Sequence, residues 1–500
     1  ISMDKNNLLN EAKKTINNVN WEPSWGLQRI ESMLEERPDW CISRQRNWGV
    51  PITLVVHKET GEIHPDQSKL FESFASAIQK NGISIWDKLE LKDFISDADD
   101  YIKIKDTLDV WFDSGVTHYA VSSKHFDESI VADLYLEGSD QHRGWFQSSL
   151  LTSIAMKGRA PYKSVLTHGF VVDENGRKQS KSLGNVVSPQ KVWDNLGADI
   201  LRLWVASSDF RSEMVASDEI LKQTSDQYRR IRNTFRFILG NINDFSNKDK
   251  INFEDQVEID KWIIVEANKL QEKVLDLYNS YSYHKAVQSI HNFCVNELGS
   301  IYLDIVKDRL YTSKTDSLAR RSCQTSLEEL LNILIRLIAP ILSYTAEEIW
   351  QSCPNLNNQQ ESVFLTNYFS NKNKNNLKIN NEEWKRLFKI KDSVNQAIEK
   401  LRNDNKIKGS LDTVVNIEAN EGDFSILEKL GAELHFLFIS SNTNIKKADS
   451  LKITINNSEH EKCTRCWHRD VSVGKNDLYR EICQRCITNI SEEGEQRSFV

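Results

Sequence analysis

The chain of 500 residues is long enough for several domains, and 39% apolar with 27% charged side chains is the balance of a globular protein with a sizeable core. No apolar run is long enough to span a bilayer and no charged-then-apolar leader opens the chain, so neither a membrane nor export is indicated and a cytoplasmic location is expected. A formal net charge of −8 excludes a protein coated in basic residues, yet leaves room for a local basic surface facing nucleic acid.

The first residue is Ile1 and the first methionine is Met3, which reads as a truncated chain. Residues 1 to about 40 read as helical, with Leu8, Leu9, Ala12 and Ile16 at roughly helical spacing, followed by a Trp/Pro-rich turn over 21–25. The alternation at 52–57 predicts a strand with a turn at Thr60-Gly61, and 70–78 a helix. Between 110 and 172 strand and helix alternate: a short strand over 133–137, a helix from 141 to 156, a strand over 165–172, in the manner of half a doubly wound parallel sheet. The turn Asp173-Glu-Asn-Gly176 then delivers a loop. From about 197 to 350 helical periodicity dominates, and Pro340 predicts a break within 326–350. An Asn/Lys-rich, apolar-poor stretch at 371–381 reads as a linker, after which a helix over 384–401 and short strands lead to a cysteine-rich end.

The chemistry concentrates in three places. The loop 176–185, Gly-Arg-Lys-Gln-Ser-Lys-Ser-Leu-Gly-Asn, sets Lys178 and Lys181 three apart with Ser180 and Ser182 beside them. Two compact ammonium groups and two hydroxyls suit a triphosphate, and Gly176 and Gly184 free the backbone; the alternative is a solvated Lys/Ser loop. Cys463-x-x-Cys466 and Cys483-x-x-Cys486, sixteen residues apart, have the spacing of a closed four-thiolate site, so one structural zinc is expected. His460 and His468 lie near, but four cysteines suffice; Cys41, Cys294, Cys323 and Cys353 are scattered and read as reduced thiols. Lys462, Arg465, Arg469, Lys475, Arg480 and Arg485 outnumber the acids Asp470, Asp477 and Glu481 in this stretch, and Trp467 and Tyr479 add stacking faces suited to single-stranded RNA. Arg229, Arg232 and Arg236, at i, i+3 and i+7, share one face of a predicted helix and either follow RNA phosphates or simply face solvent.

The lysine loop resembles the K-M-S-K-S signature of class I aminoacyl-tRNA synthetases, with Gln179 where the signature usually has Met. The blocks at 37–51, 109–115 (Asp-Val-Trp-Phe-Asp-Ser-Gly) and 137–146 (Glu-Gly-Ser-Asp-Gln-His-Arg-Gly-Trp-Phe), with the cysteine module, narrow the resemblance to the isoleucyl-tRNA synthetase family. The resemblance implies an α/β plus all-α architecture: the exit of an editing insertion at 1–40, the second half of a Rossmann-type catalytic domain at 41–215, a helical anticodon-binding domain at 216–370, the linker at 371–381, a small α/β region at 382–456 and a zinc-binding module at 457–490. It implies that Lys178 and Lys181 act in catalysis, that Lys181, Ser180 and Ser182 bind ATP with Mg²⁺, and that Glu137, Gly138, Asp140 and Gln141 face the aminoacyl-adenylate. By the same resemblance Trp111 and Trp145 would wall the pocket for a branched side chain; the alternatives are a core role for both tryptophans and a plain helix cap for Asp140. Arg229, Arg232, Arg236 and Trp467 would meet tRNA(Ile). A monomer is expected, activating isoleucine with ATP. With the editing module expected upstream and no His-x-Gly-His motif in the chain, valyl-tRNA hydrolysis is not expected and catalysis by these residues alone is doubtful. The alternatives are a valyl- or leucyl-tRNA synthetase and a non-catalytic tRNA-binding protein.

Overall fold

The structure, a computed structural model, describes residues 1–500 apart from 36, 128, 181, 354–359, 370–375 and 492. Two compact units emerge: residues 1–172 with 210–214, and residues 173–209 with 215–500.

The first unit is built on a parallel sheet whose middle strand, Tyr162–His168, pairs with Asn20–Glu22 on one side and Ala132–Gly138 on the other. Tyr162, Val165 and Leu166 are buried in that strand, and the helices Leu8–Thr15, Trp25–Glu35 and Trp145–Lys157 supply Leu8, Ile30, Leu34, Phe146 and Leu150 to the same core. The strand Asn20–Glu22 lies where a Trp/Pro-rich turn was expected. Trp21 makes the difference: its ring is buried and its Nε1 donates to the Ile16 carbonyl at 3.0 Å, so a segment of turn composition completes a sheet. A smaller core of Val55, Leu70, Phe74 and Trp86 sits under the antiparallel pair Val55–His57 and Tyr101–Lys103 and the helix Gln67–Asn81, a helix longer at both ends than its periodicity predicts.

Two expected elements are divided. The helix expected over 141–156 is a 3₁₀ turn, Ser139–His142, followed by the helix Trp145–Lys157. Gly144 separates them because a Cβ there would meet Gln141 Oε1 at 2.6 Å and Trp111 Cη2 at 2.9 Å. The strand expected over 165–172 is Tyr162–His168 and then Val171–Val172; at Gly169 the backbone presses on the Ser212 carbonyl, leaving no room for a side chain.

The second unit is mainly helical. Leu318–Ile338 ends just before Pro340 and Ser343–Gln351 resumes beyond it. The carbonyls freed at the break, those of Pro340 and Ile341, are taken by the Arg202 guanidinium at 2.8 and 2.9 Å, and Asp199 caps the resuming helix by accepting from Thr345 N at 2.7 Å. Deep in the bundle Asp260, on the helix Glu258–Asn279, forms a two-point ion pair with Arg309 on the helix Leu303–Thr312 at 2.6 and 2.8 Å. Tyr302 and Ser322 donate to the same carboxylate. Both partners of the ion pair are sealed from solvent, at 1% and 0% exposure, so the charges stand only because each completes the other. Of the expected linker, 371–375 lie outside the described residues; its last part is pinned, with Ile379 buried and its N–H bonded to Glu258 at 3.0 Å. The helix Asn381–Asn403 starts on a capping box made by Asn380 and Glu383. A three-stranded mixed sheet follows, with Thr413–Ala419 between Asn442–Lys447 and Lys452–Asn457.

Breaking the buried pair from one side, Asp260→Ala, is expected to cost about 3–5 kcal/mol in urea unfolding. The apolar double variant Asp260→Leu/Arg309→Met should cost much less, since neither charge is then stranded.

Candidate functional site

In the first unit the carboxyl end of the strand Ala132–Gly138 is the mouth of the sheet. Glu137 is exposed there, and Gly138 is buried beside Asp140, whose Oδ1 would lie 2.7 Å from any added Cβ. Asp140 is exposed and accepts from Gln141 Nε2 at 3.1 Å, while Gln141 Oε1 accepts from Trp145 N at 3.0 Å, so Gln141 ties the mouth to the start of the helix Trp145–Lys157. Trp145 stacks flat on Tyr135, 4.0 Å between ring centroids and 7° between planes, and donates its indole N–H to the Ser114 carbonyl at 3.0 Å. Trp111 is 43% exposed with its ring end against Gly144. Its helix, Val110–Gly115, is capped by Asp109, which also holds Trp40 Nε1 at 2.9 Å and Arg44 at 2.7 Å. The structure thus brings Gly138, Asp140, Gln141, Trp145 and Trp111 into one linked set.

Two residues beside that set were not singled out from the sequence. Asp109 opens one of the signature blocks, and only its two distant partners, Trp40 and Arg44, reveal it as the post that holds Trp111. His142 is fully buried between Trp21 and Trp25, at 5.9 and 5.6 Å. Burial pushes its imidazole down to about 4 despite the Ser139 carbonyl at Nδ1, 3.1 Å away, so the ring is neutral and Nδ1 carries the proton. A histidine amid aromatic residues gives no such signal in sequence.

In the second unit Asp173 organises the lysine loop. Its carboxylate accepts from the backbone N–H groups of Asn175 and Arg177, from Arg177 Nε and from Asn185 Nδ2, at 2.9–3.1 Å. The Asn185 amide and then the Arg177 N–H hold it down at about 2. Asn185 returns its oxygen to Ser180 N at 2.9 Å, and Ser180 Oγ lies 3.1 Å from Ser182 Oγ. Gly176 and Gly184, with φ of +74° and +67°, make the two bends. Lys178 is exposed on this frame; Lys181 lies outside the described residues. Gln179 turns into the loop, its Oε1 accepting from Val187 N at 3.2 Å.

The four cysteines converge, buried, with all Sγ atoms within 4.8 Å of one another. Cys463 and Cys486 are 3.8 Å apart and Cys466 and Cys483 3.7 Å apart. A tetrahedral zinc with bonds of about 2.3 Å requires thiolates about 3.8 Å apart, so the quartet fits the ion and leaves no open position on it. The module is a structural zinc site. Its basic residues are another matter: Arg485 pairs with Asp308 at 2.6 and 2.8 Å, Arg465 donates to the Thr312 carbonyl, and Arg469 pairs with Asp412 at 2.8 Å. Three of the six cations expected to face RNA are therefore turned inward. Trp467 remains 61% exposed, at a φ of +67°, with Lys462 Nζ 6.0 Å from its ring centre. On the helix Asp218–Asn241, Arg229, Arg232 and Arg236 are all exposed, Arg229 meeting Asp226 at 3.0 Å and Arg232 clamped two-fold by Glu348 at 2.8 and 3.1 Å.

Comparison with known families gives three matches in chain order: tRNA synthetases class I (I, L, M and V) over residues 1–217, the anticodon-binding domain of tRNA ligase over 260–417, and the zinc finger found in FPG and IleRS over 461–489. Those three matches in that order, on a parallel sheet, a helical bundle and a zinc module, make the chain part of a class I aminoacyl-tRNA synthetase. Curated relatives include the isoleucine–tRNA ligases of Pseudoalteromonas atlantica and Hahella chejuensis, each 49% identical, and that of Idiomarina loihiensis, 50% identical. Each alignment covers 100% of this chain and 54–55% of the relative. Within the class the chain is of the isoleucine–tRNA ligase family and spans about half the length of the curated relatives it matches. The valine, leucine and non-catalytic alternatives are not favoured. Among the described residues no helix is long and apolar enough to cross a membrane.

Two outcomes follow from this chemistry. Burial holds His118, like His142, at about 4 against an ordinary value of 6.5. The unfolded rings take protons near pH 6.5 and the folded ones only near 4, so stability is full above 6.5 and falls as pH drops towards 4. The urea midpoint should follow that window, with a shallower fall in His142→Asn. Metal analysis of the purified chain should give one zinc, and Cys486→Ser or a strong chelator should remove it and change Trp467 fluorescence, because the turn bearing that ring is held by Cys463 and Cys466.

Proposed function

We propose that this chain forms part of an isoleucine–tRNA ligase, which joins isoleucine to ATP as isoleucyl-adenylate and then transfers the acyl group to tRNA(Ile). The single observation that carries the reading is near 50% identity to isoleucine–tRNA ligases along the whole chain, lysine loop and zinc module included. In the first step the amino-acid carboxylate attacks the α-phosphorus of ATP, carried with Mg²⁺, and pyrophosphate leaves. Lys178 and Lys181 stabilise the charge that grows on the departing group, with Ser180 and Ser182 donating to phosphate oxygens; no covalent enzyme intermediate is required. Asp173 sets the bend just before Lys178, through Asn175 and Arg177, so the base of the loop is already shaped when the phosphates arrive and only its tip has to move.

Glu137 and Asp140 take the ammonium and ribose hydroxyls of the adenylate, Gly138 lets the nucleotide approach the backbone, and Gln141 holds the mouth in place. Trp111 and Trp145 wall the side-chain pocket. One methylene in such a pocket is worth only about 1–3 kcal/mol, a limit for which isoleucine against valine in this very enzyme class is the standard case. Arg229, Arg236 and Trp467 are offered to tRNA; Arg232, exposed but paired, joins them only by giving up Glu348. The chain acts in the cytoplasm, as a monomer.

The test is amino-acid-dependent ATP–pyrophosphate exchange in a chimera that joins this chain to the portion of the Idiomarina loihiensis relative it does not cover. Isoleucine should drive exchange above valine and leucine, and Lys178→Ala should lower it about 100-fold or more. Exchange driven best by another amino acid, or indifferent to Lys178, would overturn the assignment.

A further inference from the structure

Asn185 and Gln179 both tie the lysine loop across itself, but they do so unequally. The Asn185 amide is satisfied at both ends: its oxygen accepts from Ser180 N, and its nitrogen donates to Asp173 at 2.9 Å and to the Lys178 carbonyl at 3.4 Å. Gln179 is satisfied at one end only. Its oxygen is identified by the Val187 N–H that it accepts, which leaves the amide nitrogen as the other end, and that nitrogen is buried with no hydrogen-bond partner among the described residues. A buried donor without an acceptor costs more than an ordinary hydrogen bond returns. The Gln179 tie therefore holds the loop in position while weakening the position it holds.

We propose that Gln179 is a positioning residue that keeps the resting lysine loop loosely tied, so that the tie to Val187 gives way when phosphate charge draws on Lys178. Methionine, the usual residue of the signature at this place, has no donor to strand and would fill the same space with apolar surface. A loop with methionine at 179 rests more firmly and is harder to draw out. This sign is not the one that a count of hydrogen bonds gives, since Gln179→Met deletes the bond to Val187. The inference rests on the reading of the loop as a phosphate clamp, and two separate measurements on the 500-residue chain divide the two.

The first is backbone amide exchange over 178–187, without ligand. Gln179→Met should slow exchange of the loop roughly five-fold, the factor by which a stranded donor outweighs one bond. Gln179→Ala, which neither bonds nor fills, should speed it. Exchange in Gln179→Met equal to or faster than in the parent chain would overturn the proposal, with exchange outside the loop and the melting temperature reporting that the fold is intact. The second is calorimetric binding of inorganic tripolyphosphate. Lys178→Ala should weaken it, and Gln179→Met should weaken it by a factor comparable to the slowing of exchange. Binding that is absent, or that ignores Lys178, overturns the clamp reading itself. Binding that depends on Lys178 but is unchanged in Gln179→Met overturns the release of the tie and leaves the clamp standing.

Discussion

The helix Leu303–Thr312 carries two adjacent residues of opposite charge, Asp308 and Arg309, and the second unit depends on both being answered. Arg309 turns into the bundle to meet Asp260. Asp308 turns the other way, to Arg485 of the zinc module and to Arg497 at 2.9 Å. Burial alone would favour the uncharged acid, but the two guanidinium groups overcome it and hold Asp308 well below the ordinary carboxylate range. Successive residues on a helix point about 100° apart, so one short helix can be fixed on two sides at once. The metal enters this balance indirectly: Arg485 is the residue before Cys486, and the first turn of the helix Gln484–Ser491, which delivers the thiolate to zinc, also delivers the guanidinium to Asp308. A module of about thirty residues, too small to hold itself together by apolar burial, is thus joined to the bundle by charge as well as by its ion.

The same economy appears around the lysine loop and the mouth of the sheet. Asp173, Asp109 and Gln141 are not groups that the proposed chemistry acts through, yet each holds backbone at or beside one that is: Asp109 accepts from Trp111 N, Gln141 from Trp145 N, and Asp173 from Arg177 N, the residue before Lys178. Asp173 bends the loop that presents Lys178, Asp109 fixes the helix of Trp111, and Gln141 secures the first turn after the strand end. Such supports cost little, because each anion or amide takes up N–H groups that helix starts and tight bends leave unpaired in any case. Reorganisation avoided at the moment of reaction is where pre-arranged dipoles have their largest effect.

Local features were legible in the sequence. Four cysteines at metal spacing, a lysine-serine loop between glycines, a short apolar strand ending in Glu-Gly and a helix broken at Pro340 each carry their own physical cause within a few residues. What was not legible depends on partners far away in the chain. The strand Asn20–Glu22 exists because a neighbouring strand more than a hundred residues later accepts it and because Trp21 finds the core. Gly144 ends a helical pattern on account of Trp111, a residue with no periodic relation to it. The arginines of the zinc module looked like an RNA-facing surface by composition, but Arg465, Arg469 and Arg485 answer a carbonyl and two carboxylates elsewhere in the unit. Charge counts report how many cations a segment has and not which way they face.

Trp467 separates two demands that usually coincide. A tryptophan at φ +67° stands where glycine or asparagine would be at ease, and its ring is spread in water and not packed. Stability alone would choose a smaller residue on both counts. Trp467 directly follows Cys466 and its N–H bonds the Cys463 carbonyl at 3.0 Å, so the thiolate–zinc bonds of those two cysteines hold this backbone against its own preference; the metal, beyond closing the fold, acts as a mounting for an indole no folding preference would put there.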